Sequence, residues 1–123
     1  METFKFLKEI LGLGNGDLTL FLAFKKDWVL SPNDVAKKLN IPYGQAYRIL
    51  DKFRSLGWCR KEQKQMKGKN GKLINKYNTF FVFNKKGKKV AIEVFEKKVS
   101  SKIPLTIDEF KEVNELDLIV ERI

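Results

Sequence analysis

The stretch AKKLNIPYGQAYRI, residues 36–49, constrains the fold of this chain more than any other part of it. Two helices that pack closely at a steep angle need a small residue in the first. They also need a left-handed position in the turn four residues later, and apolar anchors six and nine residues after that. Ala36, Asn40, Ala46 and Ile49 meet each requirement. Asparagine stands where glycine is usual, and it enters the left-handed region more readily than other residues that carry a Cβ. The flanks agree with this reading. Ser31 is a good N-cap, Pro32 suits a first helical turn and Asp34 stands where a capping-box acid would, so one helix should run from 31 or 32 to about Leu39. The next should begin at Pro42 or Tyr43, hold Ala46, Ile49, Leu50 and Phe53 on its buried face, and stop at Gly57.

From Trp58 the period changes. WCRKEQKQMK and KLINKYNTFFVF read as two strands, with β-branched and aromatic residues densest in NTFFVF. Asn70-Gly71 between them tolerates positive φ angles and predicts a tight hairpin turn at that pair. Residues 64–76 carry five lysines, at 64, 67, 69, 72 and 76, and no acid. Taken alone, such a hairpin is a solvated loop kept soluble by its charges. Phe80, Phe81 and Phe83 read as core.

The remaining segments are helical by pattern. Phe4, Leu7 and Leu11 recur at helical spacing near the start, with Phe6 and Ile10 widening the stripe. Gly12-x-Gly14-x-Gly16 follows that helix rather than a strand and lacks a Gly-Lys-Ser/Thr, so it is not a phosphate loop. Asp17 is expected to cap a helix from Leu18 to about Lys26, whose LTLFLAF face belongs at the centre of the core. Trp28-Val29-Leu30 has room for one small strand. Asn84 can cap a fifth helix with Val90, Val94 and Phe95 inward. After Ile103-Pro104, Thr106 and Glu109 form a capping box for a last helix to about Arg122. The expected class is α+β and mostly helical, one domain over residues 1–123.

Charge narrows the partner. The net charge of +10 is unevenly placed: −1 over residues 1–36, +14 over 37–98 and −3 over 99–123. A basic block between neutral and acidic flanks is an electrostatic footprint for a polyanion, with nucleic acid first and an anionic membrane surface second. No apolar run is long enough to span a membrane, and METFKFLKEI lacks the apolar core of a signal peptide, which points to the cytoplasm. Cys59 is the single cysteine and histidine is absent, which rules out an intrachain disulfide and the usual zinc sites. No cofactor or metal is expected. Nor is an enzyme, since the basic block holds no nucleophile–base or paired-carboxylate constellation. Cys59 beside Trp58 reads as strand packing.

SPNDVAKKLNIPYGQAYRILDKFRSLGWCRKE, the basic hairpin and FNKKGKKVAIEVF together resemble a winged helix-turn-helix domain, most closely the MarR-type and related archaeal-type transcriptional regulators. The resemblance covers about residues 28–98 and implies a winged helix-turn-helix core over 28–83, with the lysine hairpin as its wing. Asn70-Gly71-Lys72 stands where that family has Asp-x-Arg, so its wing-tip arginine contact does not carry over.

On this reading the second helix enters the major groove by its N-terminal end, bringing Tyr43, Gly44, Gln45, Tyr47 and Arg48 to the bases. Gln45 can pair with adenine, Arg48 with guanine O6 and N7, Tyr47 can reach a phosphate or a thymine methyl, and Gly44 permits close approach. Ser31, Lys52 and the wing residues Lys64, Lys67, Lys69, Lys72 and Lys76 are assigned to the backbone or minor groove. The expected partners are double-stranded DNA and a second copy of the chain, which would dimerise through broad apolar helices at 1–14 and 106–123. The leading function is a sequence-specific transcriptional regulator acting as a repressor. An architectural or replication-associated DNA-binding protein and a protein-interaction module are the alternatives. The sequence specifies no small-molecule effector.

Overall fold

A computed structural model describes residues 7–9 and 11–99 of the chain. The expected helix after Pro104, its Thr106–Glu109 capping box, the segment 106–123 and residues 1–6 and 10 of the segment 1–14 lie outside the described residues; of the expected first helix, residues 7–9 and 11 are helical, with Leu7 and Leu11 buried.

The core is built on α1, Asn15–Lys25, in which every residue from Leu18 to Phe24 is buried. It starts three residues earlier than the sequence predicts. Asp17 does not cap it: Gly14 is the N-cap and no side chain caps the end. The Asp17 carboxylate instead accepts from Lys98 Nζ at 2.8 Å, tying the first turn of α1 to the last described helical turn. Asp27 and Trp28, both at positive φ, then reverse the chain. A bulky residue at a φ of 70° is strained, and close contacts hold Trp28 there. Its N–H donates to Ala23 O at 2.7 Å, its carbonyl accepts from Phe83 N at 2.9 Å, and its ring packs on Phe24 and Phe83.

After the two-residue strand β1, Val29–Leu30, come α2, Pro32–Leu39, and α3, Tyr43–Ser55. The expected capping box is present: Asp34 N donates to Ser31 Oγ at 3.1 Å and Ser31 N to Asp34 Oδ2 at 3.4 Å. Asn40 ends α2 in the left-handed conformation, at φ 55° and ψ 53°. That conformation lets Ile41 N reach back to Ala36 O at 3.0 Å and turns the chain sharply into α3. Val35, Leu39, Ala46, Leu50 and Phe53 are buried between the two helices and the rest of the core, and Ile49 is half-buried at its margin.

Strands β2, Cys59–Lys67, and β3, Leu73–Phe83, form a long antiparallel hairpin, and β1 adds to the core end of β3 to give the order β1-β3-β2. Cys59 pairs with Phe83 and Lys61 with Phe81, so alternation puts Cys59, Phe81 and Phe83 on one buried face. Phe80 points to the other face, half-buried, with Lys64 Nζ 5.7 Å from its ring centroid. The hairpin outruns the core and its register becomes irregular between Gln65 and Lys67. Its turn differs from the two-residue one that Asn70-Gly71 predicts. Gly68 N donates to Lys72 O at 2.7 Å and Gly71 N to Gly68 O at 3.0 Å, enclosing residues 69–71. Only Gly71 has positive φ, the pattern of a three-residue loop closed by a left-handed glycine. Asn70 uses its side chain instead, accepting from Lys72 N at 3.1 Å.

Helix α4, Lys85–Val94, begins at Asn84 and continues through a π-helical turn, Phe95–Val99. Ala91 and Phe95 face the core, Phe95 meeting Phe21 edge-on and stacking on Phe24. Val90 and Val94 are half-buried. The first turn of α4 presses on the chain between α3 and β2, where a Cβ at Gly87 would collide with the carbonyl of Trp58.

Candidate nucleic-acid interface

Packing of α3 on α2 and the sheet decides which of its side chains reach water. With Ala46, Leu50 and Phe53 buried, the line Gly44, Arg48, Lys52 and Ser55, spaced about one turn apart, is exposed along the helix. Nothing lies within 4 Å of a Cβ built at Gly44, so this first step of the line is bare backbone open to solvent. Arg54 is held by Asp51 at 2.7 Å and Arg60 by Glu62 at 2.8 Å. The bond to Arg54 keeps the Asp51 carboxyl below its ordinary range. Arg48 has no such partner among the described residues, which leaves its planar fork available to an external acceptor.

Two expected base readers are less free than the helical wheel implies. Gln45 is half-buried. Tyr47 is half-buried as well, its ring edge-on to Phe81 at 5.7 Å and its hydroxyl accepting from Lys61 Nζ at 2.9 Å. The outward placement of Tyr47 is therefore corrected: it faces the wing. Counting the apolar set at 46, 49, 50 and 53 missed this, because the wing packs against a second side of α3 and apolar periodicity does not register that side. Lys61 was missed for the same reason. Strand alternation from buried Cys59 would have found it, since 59 and 61 share a face.

The remaining expected residues are distributed as follows. Tyr43 is 48% exposed at the start of α3, its ring 6.3 Å from that of Tyr47. Ser31 is half-buried and occupied by the capping box. Lys64, Lys67, Lys69, Lys72 and Lys76 are all exposed along the hairpin and carry no ion pair among the described residues. A cleft of about 280 Å³ separates the first turn of α2 from the wing, lined by Ser31, Asp34, Tyr43, Tyr77 and Thr79 among others. Among the described residues no three His, Cys, Asp or Glu side chains are grouped so as to hold a metal ion. No described helix is long and apolar enough to cross a membrane. Cys59 is buried, its Sγ 3.8 Å from Leu50 O, and burial pushes its thiol pKa up to about 11, which suppresses thiolate chemistry at neutral pH.

No protein-family profile and no curated protein sequence matches the chain. Solved structures do. AbfR in its disulfide-formed state superposes with a TM-score of 0.53 at 22% identity, over 95% of this chain and 75% of that one. The transcriptional regulator BldR from Sulfolobus solfataricus gives 0.51 at 16% identity, over 95% and 80%. AbfR in an overoxidized form bound to DNA gives 0.51 at 19% identity, over 96% and 79%. These neighbours are MarR-type winged-helix regulators, and at such identities the likeness establishes a shared architecture. The chain has the winged helix-turn-helix fold of that group, with α2 and α3 as its helix-turn-helix and β2–β3 as its wing.

Proposed function

We propose that the protein is a sequence-specific double-stranded DNA-binding transcriptional regulator that acts as a homodimer and represses by occlusion. The observation that carries this reading is the coincidence of two basic features on one fold. One is the exposed Gly44–Arg48–Lys52 line of α3, and the other is a wing that carries five lysines between residues 64 and 76 with no acid among them. The N-terminal half of α3 enters the major groove, with Gly44 allowing close approach and Arg48 making two bonds to a guanine. Tyr43 and Gln45 flank that contact. The wing lysines lie along the adjacent backbone or minor groove, where they supply affinity with little sequence information. Shared architecture with regulators, AbfR among them bound to DNA, supports the same reading.

Dimerisation is supported by sequence: Ile107, Phe110, Val113, Leu116, Ile119, Val120 and Ile123 wind around the expected last helix in a stripe too broad for one groove on a small domain. A two-fold dimer presents two copies of α3 to a palindromic site. Selection of bound sequences from random duplex DNA, followed by footprinting, tests the whole reading. A motif with two-fold symmetry is the expected result. Tight binding with no enriched motif would replace the regulator with an architectural DNA-binding protein, and no binding would leave an interaction module.

A further inference from the structure

The rung of the sheet that pairs Lys61 with Phe81 is where the core ends and the wing begins, since Phe81 is fully buried and Lys61 is exposed. Tyr47 spans that rung from α3. Phe81 packs its ring, Lys61 Nζ donates to its hydroxyl at 2.9 Å, and the same ammonium lies 5.6 Å from the ring centroid. A phenol oxygen that accepts one bond still has its own O–H to donate, and an ammonium that gives one N–H has two left. Two donors, one fully charged, therefore converge in the angle between helix and wing. The carboxylate whose charge interacts with Lys61 is Asp51, one turn beyond Tyr47, and it is already engaged by Arg54 Nε at 2.7 Å. Glu62, the next residue of the strand, points to the other face and is engaged by Arg60.

We propose that Tyr47 Oη and Lys61 Nζ form a clamp for a single phosphodiester, seating one backbone phosphate of duplex DNA between α3 and the wing. The clamp rests on the DNA-binding reading and gives Tyr47 a role other than base recognition. Phosphate oxygens only accept hydrogen bonds, so they suit a site that offers an O–H and an ammonium together. Because the clamp joins two elements, one phosphate would fix the register of helix and wing on the duplex at once.

The test pairs side-chain changes with single neutral methylphosphonates placed one at a time along a bound duplex. Wild type should weaken roughly tenfold in affinity when one particular phosphate per half-site is neutralised, as expected for one charge-assisted bond. Lys61→Met removes the contact from both half-sites of the dimer, so it should bind the unmodified duplex more weakly still, show no further loss from that methylphosphonate, and flatten the log–log salt slope by about 1.8, or about 0.9 for each half-site. Tyr47→Phe keeps the packing on Phe81 and should show a smaller loss at the same phosphate, and Lys61→Arg should keep most of the affinity. Thermal melting checks that each variant is folded. If every methylphosphonate costs Lys61→Met as much as wild type, or the salt slope is unchanged, the clamp is refuted while DNA binding stands. Failure of wild type to bind any duplex would refute both.

Discussion

Asn84 joins three parts of the molecule, and replacing it should separate their contributions. Its Oδ1 accepts from Gly87 N at 2.9 Å, capping α4, and its Nδ2 donates to Gly57 O at 2.7 Å in the turn between α3 and β2. The backbone adds a third bond, Asn84 N to Trp58 O at 3.0 Å, which survives substitution. Loss of an N-cap costs about 1 kcal/mol, and loss of one ordinary hydrogen bond about 1 kcal/mol before water replaces it. Because Asn84 is exposed, water will recover part of the second term, so Asn84→Ala should destabilise by about 1.5 kcal/mol. For a domain of this size that lowers Tm by roughly 4–8 °C. Asn84→Ser keeps a cap acceptor and lacks the donor to Gly57 O, so it should fall about midway between wild type and alanine. Thermal unfolding followed by far-ultraviolet circular dichroism distinguishes the three proteins. Serine as damaging as alanine would mean that the cap contributes nothing, and an alanine variant within about 0.5 kcal/mol of wild type would refute the junction's role.

Gly87→Ala should be worse than Asn84→Ala, about 2–3 kcal/mol, because the new methyl meets the Trp58 carbonyl, which is fixed by its bond from Asn84 N. Urea titration measures this, and a loss under about 1 kcal/mol would show that the α4 junction can yield. Cys59 predicts a pH effect: burial lifts its thiol from 9.0 to about 11, so above pH 9.0 the unfolded state releases a proton that the folded state keeps. Stability from this group is complete below that value and falls as pH rises towards 11, so wild type should lose more stability across the window than Cys59→Ala, and parallel pH profiles would contradict it. Changing Lys67, Lys69 and Lys72 together to alanine should weaken binding to all duplexes alike and reduce the salt slope by about 0.9 for each phosphate that the wing no longer neutralises; unchanged affinity and slope would remove the wing from the DNA.

How much of this was legible in the sequence depended on how local the determinant is. Ser31, Asp34, Asn40 and Asn84 act within a turn or two of their own position, and the structure puts each in the predicted role. The strands and the buried faces of α2 and α3 were legible because burial on one side leaves a period. Asp17 was misassigned because an acid in a first turn suits either a cap or a distant lysine, and Lys98 lies far along the chain. The turn at Gly68–Lys72 escaped because Asn-Gly serves two-residue and three-residue loops alike. Trp28 at positive φ had no signal at all, since only the tertiary contacts of its ring and backbone make that conformation tolerable. The candidate site divided in the same way. Arg48 and Lys52 follow from helical periodicity, whereas the contact between Tyr47 and Lys61 depends on where the wing crosses α3.

Base reading by α3 is tested most directly by comparing Arg48→Ala with wild type on a selected site and on random duplex DNA. Arg48 is exposed, unpaired among the described residues and one turn from Gly44. Its removal should cost about 1–3 kcal/mol on the selected site, relax the preference at one base pair, and leave random-duplex affinity nearly unchanged. Lys52→Ala, one turn farther along, should weaken both duplexes equally. Equal losses for Arg48→Ala on the two duplexes would reduce α3 to a backbone contact and contradict sequence-specific reading.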